Sequence, residues 1–181
     1  TNLRVTKYRN GDTIPANMAD ADWIKLTSGA CATYPDTDIE VNGLLYNWYA
    51  ASDARGLCPE GWHVPTEKDY QTLEIAIGMA EETATGKPGW RQTDKEGTKL
   101  KANVEGFNGS DLFGFTAMPA GQRAEGKGNF NNSGTYAYFW TCDESADNPE
   151  KAYRRVLQAK YETIANSVIS KLAGYSVRCV K

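Results

Sequence analysis

The segment from Gly56 to Tyr70, GLCPEGWHVPTEKDY, joins a turn rich in proline and glycine to the start of an amphipathic pattern. Thr66 stands where a helix N-cap belongs, and Asp69 follows three residues later, as in a capping box. The apolar residues that follow share one helical face: Tyr70, Leu73, Ala76 and Ile77. The pattern predicts a helix over residues 66–77, preceded by an irregular lead that contains Cys58 and Trp62.

The rest of the chain carries few helical patterns and several strand patterns. A short helix is predicted over 20–26, and the aromatic segment 44–51 is predicted to pack in the core. Residues 83–133 are rich in Gly, Asn, Lys and Thr, which indicates short irregular strands or a long structured loop. Five segments are predicted as strands: 3–8, 135–141, 152–158, 163–169 and 174–180. The fold class is therefore α+β with an antiparallel sheet.

Length and charge exclude several classes of protein. The 181 residues suit one domain over 1–181, with 40% hydrophobic residues to form its core. The formal charge of −3 and the scattered Lys and Arg argue against nucleic-acid binding. No apolar run approaches the roughly 20 residues that span a bilayer, so membrane insertion of this domain is not expected.

Four cysteines, Cys31, Cys58, Cys142 and Cys179, form an even set without metal-site spacing. No pair is arranged as C-x-x-C, and one histidine cannot complete a Cys/His zinc set. Two disulfides are the favoured interpretation, with free buried thiols and a metal site as alternatives. Disulfides favour export to an oxidising compartment. The residues alone leave all three pairings open.

Six blocks in the chain resemble the Fibrobacter succinogenes major paralogous domain family. In chain order they are TKYRNGDTIP, LLYNWYAA, GLCPEGWHVPT, GFTAMPAGQR, YAYFWT and GYSVRCVK. The family occurs mostly in exported or surface-attached proteins of Bacteroidetes and Fibrobacter relatives, and its biochemical function is generally unassigned. The resemblance implies an extracellular or cell-surface location, with any targeting segment removed before this sequence begins.

The turn that opens the 66–77 helix and the terminal strand are more distantly similar to formylglycine-generating enzymes, a branch of the C-type-lectin-like fold. This similarity implies few helices, short antiparallel sheets, a long irregular middle region, and first and last elements that lie together. It also implies a disulfide between Cys58 and Cys179, which leaves Cys31 to pair with Cys142. Neither Cys142 nor Cys179 lies in that enzyme's motif, so no catalytic residue is carried over.

His63 and the glycine-rich run 126–134 have plain structural interpretations. His63 lies between Trp62 and Val64 in a turn, which favours a hydrogen-bonded structural histidine over a catalytic base. The run GKGNFNNSG resembles a phosphate-binding loop, but a strand-like segment follows it where a helix would be needed. A hairpin loop is therefore predicted there.

Candidate ligand residues lie in two places. The acidic loop CDESADNPE, residues 142–150, offers oxygen ligands, with Asp143, Glu144 and Asp147 as weak calcium candidates and Asn148 beside them. A solvated acidic loop is the alternative. Trp90 lies in a polar region and is predicted to be exposed, where it could stack on a sugar ring or a protein. Trp48, Trp62 and Trp140 are predicted to pack in the core.

Together these features favour a non-catalytic surface-binding or adhesion domain whose ligand is a glycan or a protein. No cofactor is expected, although calcium is possible. The alternatives are a structural component of a larger surface assembly and, as the weakest, an enzyme similar to formylglycine-generating enzymes. No convergent acid–base pair or activated nucleophile stands out, and fold similarity alone does not supply a function.

Overall fold

The protein is described by a computed structural model that covers residues 1–181. Its helices are all short: α1 (Asp20–Trp23), α2 (Ile39–Asn42), α3 (Trp48–Ala51), α4 (Glu67–Ala76), α5 (Glu81–Ala84) and α6 (Glu96–Leu100). Its strands are β1 (Cys31–Ala32), β2 (Leu45–Tyr46), β3 (Gly89–Arg91), β4 (Gln122–Arg123), β5 (Phe130–Asn131), β6 (Tyr136–Glu144), β7 (Lys151–Gln158) and β8 (Ile164–Ser170). No helix has the length and apolar character of a membrane span.

The main sheet is antiparallel and has the strand order β3-β8-β7-β6. Its three long strands confirm the predicted strands at 135–141, 152–158 and 163–169. Two smaller antiparallel pairs, β1 with β2 and β4 with β5, complete the sheets. The β4–β5 pair is the hairpin predicted for the glycine-rich run. The molecule is thus a mixed helix and sheet protein with antiparallel sheets, as predicted.

Alternate residues of the main sheet face two hydrophobic cores, as the twofold period of a strand requires. Tyr138, Trp140 and Val156 point into the larger core, which also contains most of the buried side chains of residues 44–51. Phe139 and Leu157 point into the second core. This core also contains Tyr70 of α4 and Ile77, which follows the last residue of that helix. The predicted burial of the 44–51 segment is confirmed, since both Trp48 and Tyr46 are buried.

The helix α4 begins as the sequence predicts. The Thr66 side chain accepts a hydrogen bond from the Asp69 backbone N–H, and the Asp69 carboxylate accepts one from the Thr66 N–H. This reciprocal capping box satisfies two of the N–H groups that a helix start leaves unpaired. Further along the helix, Glu74 is fully buried and forms ion pairs with Arg91 of β3 and Arg155 of β7. Buried ions thus join α4 to the sheet.

The C-terminal segment 174–180 is central but is not a regular strand, so that part of the prediction is wrong. Single bridges join its residues to four separate segments: Gly174 to Arg123, Tyr175 to Tyr46, Ser176 to Phe139 and Val180 to His63. Because each residue has a different partner, no continuous ladder can form. The predicted strand 3–8 is also absent, although the Leu3 N–H donates to the Val177 carbonyl at 2.8 Å.

Candidate functional site

Trp62 lies on the surface, and the prediction that it packs in the core is wrong. Its side chain is 45% exposed. It ends a tight turn in which its N–H donates to the Pro59 carbonyl at 3.0 Å, and Gly61 takes a positive φ of 77° that favours glycine. The turn-forming neighbours Pro59 and Gly61 were the sequence signal for a surface position. Core packing of Trp48 and Trp140 is confirmed.

The turn that carries Trp62 is fixed on both sides to the C-terminal segment. Before it, Cys58 forms a disulfide with Cys179, as predicted. After it, His63 and Val180 exchange two backbone hydrogen bonds of 2.8 and 2.9 Å. An exposed aromatic ring held between two anchors loses little conformational entropy when it binds a ligand.

Two cavities flank Trp62. One has a volume of about 240 Å³ and extends past Cys58 to Arg9 and Asp53. The other has a volume of about 410 Å³ and is lined by Leu3, Arg4 and Pro59 as well as by Trp62. The indole therefore stands between two concave surfaces, each of which combines apolar and charged side chains.

Polar groups beside Trp62 are held in defined positions. The guanidinium of Arg55 hydrogen-bonds the carboxylate of Asp53 and lowers the pKa of that group. The Nε2 atom of His63 lies 3.0 Å from the Oδ2 atom of Asp69. His63 is therefore hydrogen-bonded to the capping carboxylate of α4, which agrees with the structural role predicted for it.

Trp90 is exposed, as predicted, on the edge strand β3. Its side chain is 45% exposed and meets Tyr161, itself 49% exposed, edge to face at a centroid distance of 4.9 Å. Its neighbour Arg91 points inward, where its guanidinium lies 2.9 Å from a carboxylate oxygen of Glu74. The Trp90–Tyr161 pair forms a second aromatic surface, outside the cavities beside Trp62.

The predicted acidic loop 142–150 is only in part a loop, because Cys142, Asp143 and Glu144 belong to β6 and the connection to β7 begins at Ser145. Several of its side chains contact the protein itself. The Asp143 carboxylate accepts a hydrogen bond of 2.5 Å from the Glu67 N–H at the start of α4, and Glu144 forms an ion pair with Lys171. Asn148 accepts a hydrogen bond from the Glu150 N–H within the loop, and Asp147 is exposed. No group of three or more Asp, Glu, His or Cys side chains is placed to hold a metal ion.

The two predicted ligand regions lie at opposite ends of the main sheet. Trp90 is in register with Ala165 near the start of β8, whereas Lys151, which follows the acidic loop, is in register with Ser170 at its end. The structure therefore does not bring Trp90 together with the acidic loop.

The predicted pairing of Cys31 with Cys142 is wrong, because both are free thiols. Cys31 lies in β1 opposite Tyr46, and the Cys142 N–H donates to the Pro65 carbonyl ahead of α4. The two residues are thus held by different neighbours. Burial raises the pKa of both thiols, that of Cys31 to about 11, so both stay protonated at neutral pH.

Comparisons with known proteins identify a family but no closer relative. No curated protein and no solved structure matches the chain. The sequence model of one protein family, described as the Fibrobacter succinogenes major domain, matches residues 1–181. The chain therefore belongs to the Fibrobacter succinogenes major domain family.

Proposed function

We propose that this domain is a non-catalytic binding domain of an exported or surface-attached protein, and that it binds a glycan at Trp62 and the two cavities beside it. The observation that carries the proposal is the exposed indole of Trp62 between cavities of about 240 and 410 Å³. Aromatic faces in concave, partly polar surroundings stack on sugar rings, while nearby charged groups bond their hydroxyls.

Two further features support the proposal. The disulfide and the His63–Val180 bridge hold the Trp62 turn in place before any ligand arrives. The disulfide also supports export, since such bonds persist mainly in oxidising compartments. The C-type-lectin-like fold implied by the sequence stays a prediction that agrees with this function.

The experiment is a binding screen on an array of plant, bacterial and host glycans, with and without EDTA. Trp62→Ala and Trp90→Ala are matched variants, because the two side chains are equally exposed at 45%. We expect Trp62→Ala to weaken binding at least about tenfold, as for an aromatic hot spot, and Trp90→Ala to leave it unchanged. EDTA should have no effect, because Asp143 and Glu144 are engaged with Glu67 and Lys171.

Other outcomes would contradict parts of the proposal. Loss of binding in Trp90→Ala alone would move the site to the Trp90–Tyr161 surface. Loss of binding in EDTA would return the acidic loop 142–150 to consideration as a calcium site. Absence of any glycan ligand would favour a protein partner or a structural component of a surface assembly.

A further inference from the structure

Arg178 is a buried cation without an acidic partner. Its side chain is 8% exposed, and no carboxylate forms an ion pair with it. The guanidinium donates to the Asn2 side-chain oxygen and to the backbone carbonyls of Phe115 and Thr116. Burial lowers the pKa of Arg178 to about 10, because the charged form is poorly solvated there.

Neither Asp69, which lines a cavity with Arg178, nor Asp111, whose charge acts on Arg178, is paired with it. Asp69 accepts hydrogen bonds from the backbone and the hydroxyl of Thr66 and from His63. Asp111 accepts hydrogen bonds from the backbone N–H and the hydroxyl of Thr116. A buried charge that lacks a counter-ion is unfavourable, so an anion that reached Arg178 would gain more than one bound at the surface.

Arg178 lies between two cavities, which gives an anion a place to bind. One, of about 320 Å³, is lined by Leu73, Phe115 and Asp69 among others, and the second, of about 310 Å³, lies on the side of Thr116. Volumes near 300 Å³ are at the lower end of small-molecule sites. Tyr70, which also lines the first cavity, keeps a buried hydroxyl without a hydrogen-bond partner.

We propose that the cavity of about 320 Å³ binds a hydroxylated, ring-sized carboxylate, the chemistry of a single uronic acid residue. An arginine has five N–H donors and Arg178 uses three, so two are left for the carboxylate. The apolar side chains of Leu73 and Phe115 contact one ring face, and Asp69 accepts a ring hydroxyl. Trp62 does not line this cavity, although the cavity of about 410 Å³ beside Trp62 adjoins it at Thr1 and Cys179. The carboxylate proposal rests on Arg178 and does not require glycan binding at Trp62.

The first test is a titration of the isotope-labelled domain followed by NMR, with sodium D-glucuronate as the probe. D-Glucose lacks the carboxylate, and cyclohexanecarboxylate lacks the hydroxyls. We expect glucuronate at millimolar concentrations to shift the Arg178 Nε–H and the Phe115 and Thr116 amide signals saturably, and glucose to have no effect. Cyclohexanecarboxylate should bind about tenfold more weakly, because it cannot bond the charged Asp69.

A pair of variants on one helix tests the location. Leu73→Trp places a larger side chain in the cavity, whereas Ile75→Trp introduces the same side chain at an exposed position outside it. We expect glucuronate affinity to fall at least about tenfold in Leu73→Trp and to stay unchanged in Ile75→Trp, with both variants folded by their amide spectra. Equal binding by both variants would overturn the site. A saturable shift with glucose, or no shift with glucuronate, would overturn the ligand class. Binding of cyclohexanecarboxylate as tight as that of glucuronate would also overturn it.

Discussion

Trp62 and Trp90 expose the same fraction of their side chains, but the protein holds them in different ways. Trp62 is in a turn that a disulfide and a backbone bridge fix to the C-terminal segment. Trp90 is in a three-residue edge strand, and its neighbour Arg91 is anchored by the buried carboxylate of Glu74. The first is held mainly by a covalent link, and the second by sheet pairing and buried ions.

This difference shows why exposure alone does not identify a binding residue. Trp62 lines two cavities. Trp90 lines neither of them, and its aromatic contact is with the ring of Tyr161. A ligand at Trp62 can therefore contact the indole and concave walls at once. The Trp90–Tyr161 surface offers ring area but lines neither of these cavities.

Removal of the disulfide should have the largest effect and should act on the Trp62 turn. In Cys58→Ser/Cys179→Ser the free energy of unfolding should fall by about 4–5 kcal/mol, because the bond closes a loop with a sequence separation of 121 residues. Urea denaturation measures the loss. In the NMR spectrum of the folded variant, the indole N–H signal of Trp62 should shift while that of Trp90 stays in place.

Cys142→Ser is the control for this change, since Cys142 is a free thiol that lines a cavity beside Trp62. It should cost less than about 1 kcal/mol and leave both indole signals unchanged. If the Trp90 signal moved as far as the Trp62 signal in the disulfide variant, the two surfaces would not be held independently.

Loss of the buried carboxylate should have the next largest effect and should act on the Trp90 side. Glu74→Gln leaves Arg91 without its acidic partner and leaves Arg155 with only Glu67. Removal of one partner from a buried ion pair costs about 3–5 kcal/mol, and we expect the lower end because Gln keeps the shape and an acceptor oxygen. Urea denaturation again measures the change.

The same variant sharpens the comparison of the two tryptophans. The indole signal of Trp90 should shift and that of Trp62 should not, the reverse of the disulfide variant. Glu82→Gln removes an exposed carboxylate from the neighbouring helix α5 and should have little effect on stability. A similar loss in both Glu variants would mean that the buried pairs of Glu74 contribute no more than surface charge.

Local sequence signals predicted the parts of the fold whose causes are local. The helix α4 was found because its cap, Thr66, and its capping acid, Asp69, lie three residues apart in the chain. The long strands β6 and β8 contain several aromatic or β-branched side chains, which favour strands. The resemblance to a family correctly implied the pairing of Cys58 with Cys179.

Features fixed by distant contacts were not predictable in this way. Asp143 bonds the start of α4 across 76 residues of sequence, which no local pattern in the acidic loop reveals. The exposure of Trp62 has a local cause in the turn at Pro59 and Gly61, but the bonds that hold this turn, from Cys58 to Cys179 and from His63 to Val180, are distant. The cavity beside Arg178 likewise arises from segments at both ends of the chain.

The capping box gives the smallest expected effect and links the two sides of the comparison. Thr66 lies four residues after Trp62, at the start of the helix that carries Glu74. Thr66→Ala removes the acceptor for the Asp69 N–H and should lower the free energy of unfolding by about 1 kcal/mol. Thr72→Ala changes the same residue type within α4, where its hydroxyl bonds only the Lys68 carbonyl, and should cost less.

Amide exchange locates the consequence of that change within the helix. Protection of the Asp69 N–H from exchange should fall in Thr66→Ala. Protection of the Glu74 N–H should be kept, because Glu74 lies inside the helix and its side chain forms the buried ion pairs. Since the first turn lies nearest Trp62, the indole signal of Trp62 should respond more than that of Trp90. Equal losses of protection at both ends of α4 would mean that the helix opens as one unit and that the capping box does not act locally on the Trp62 side.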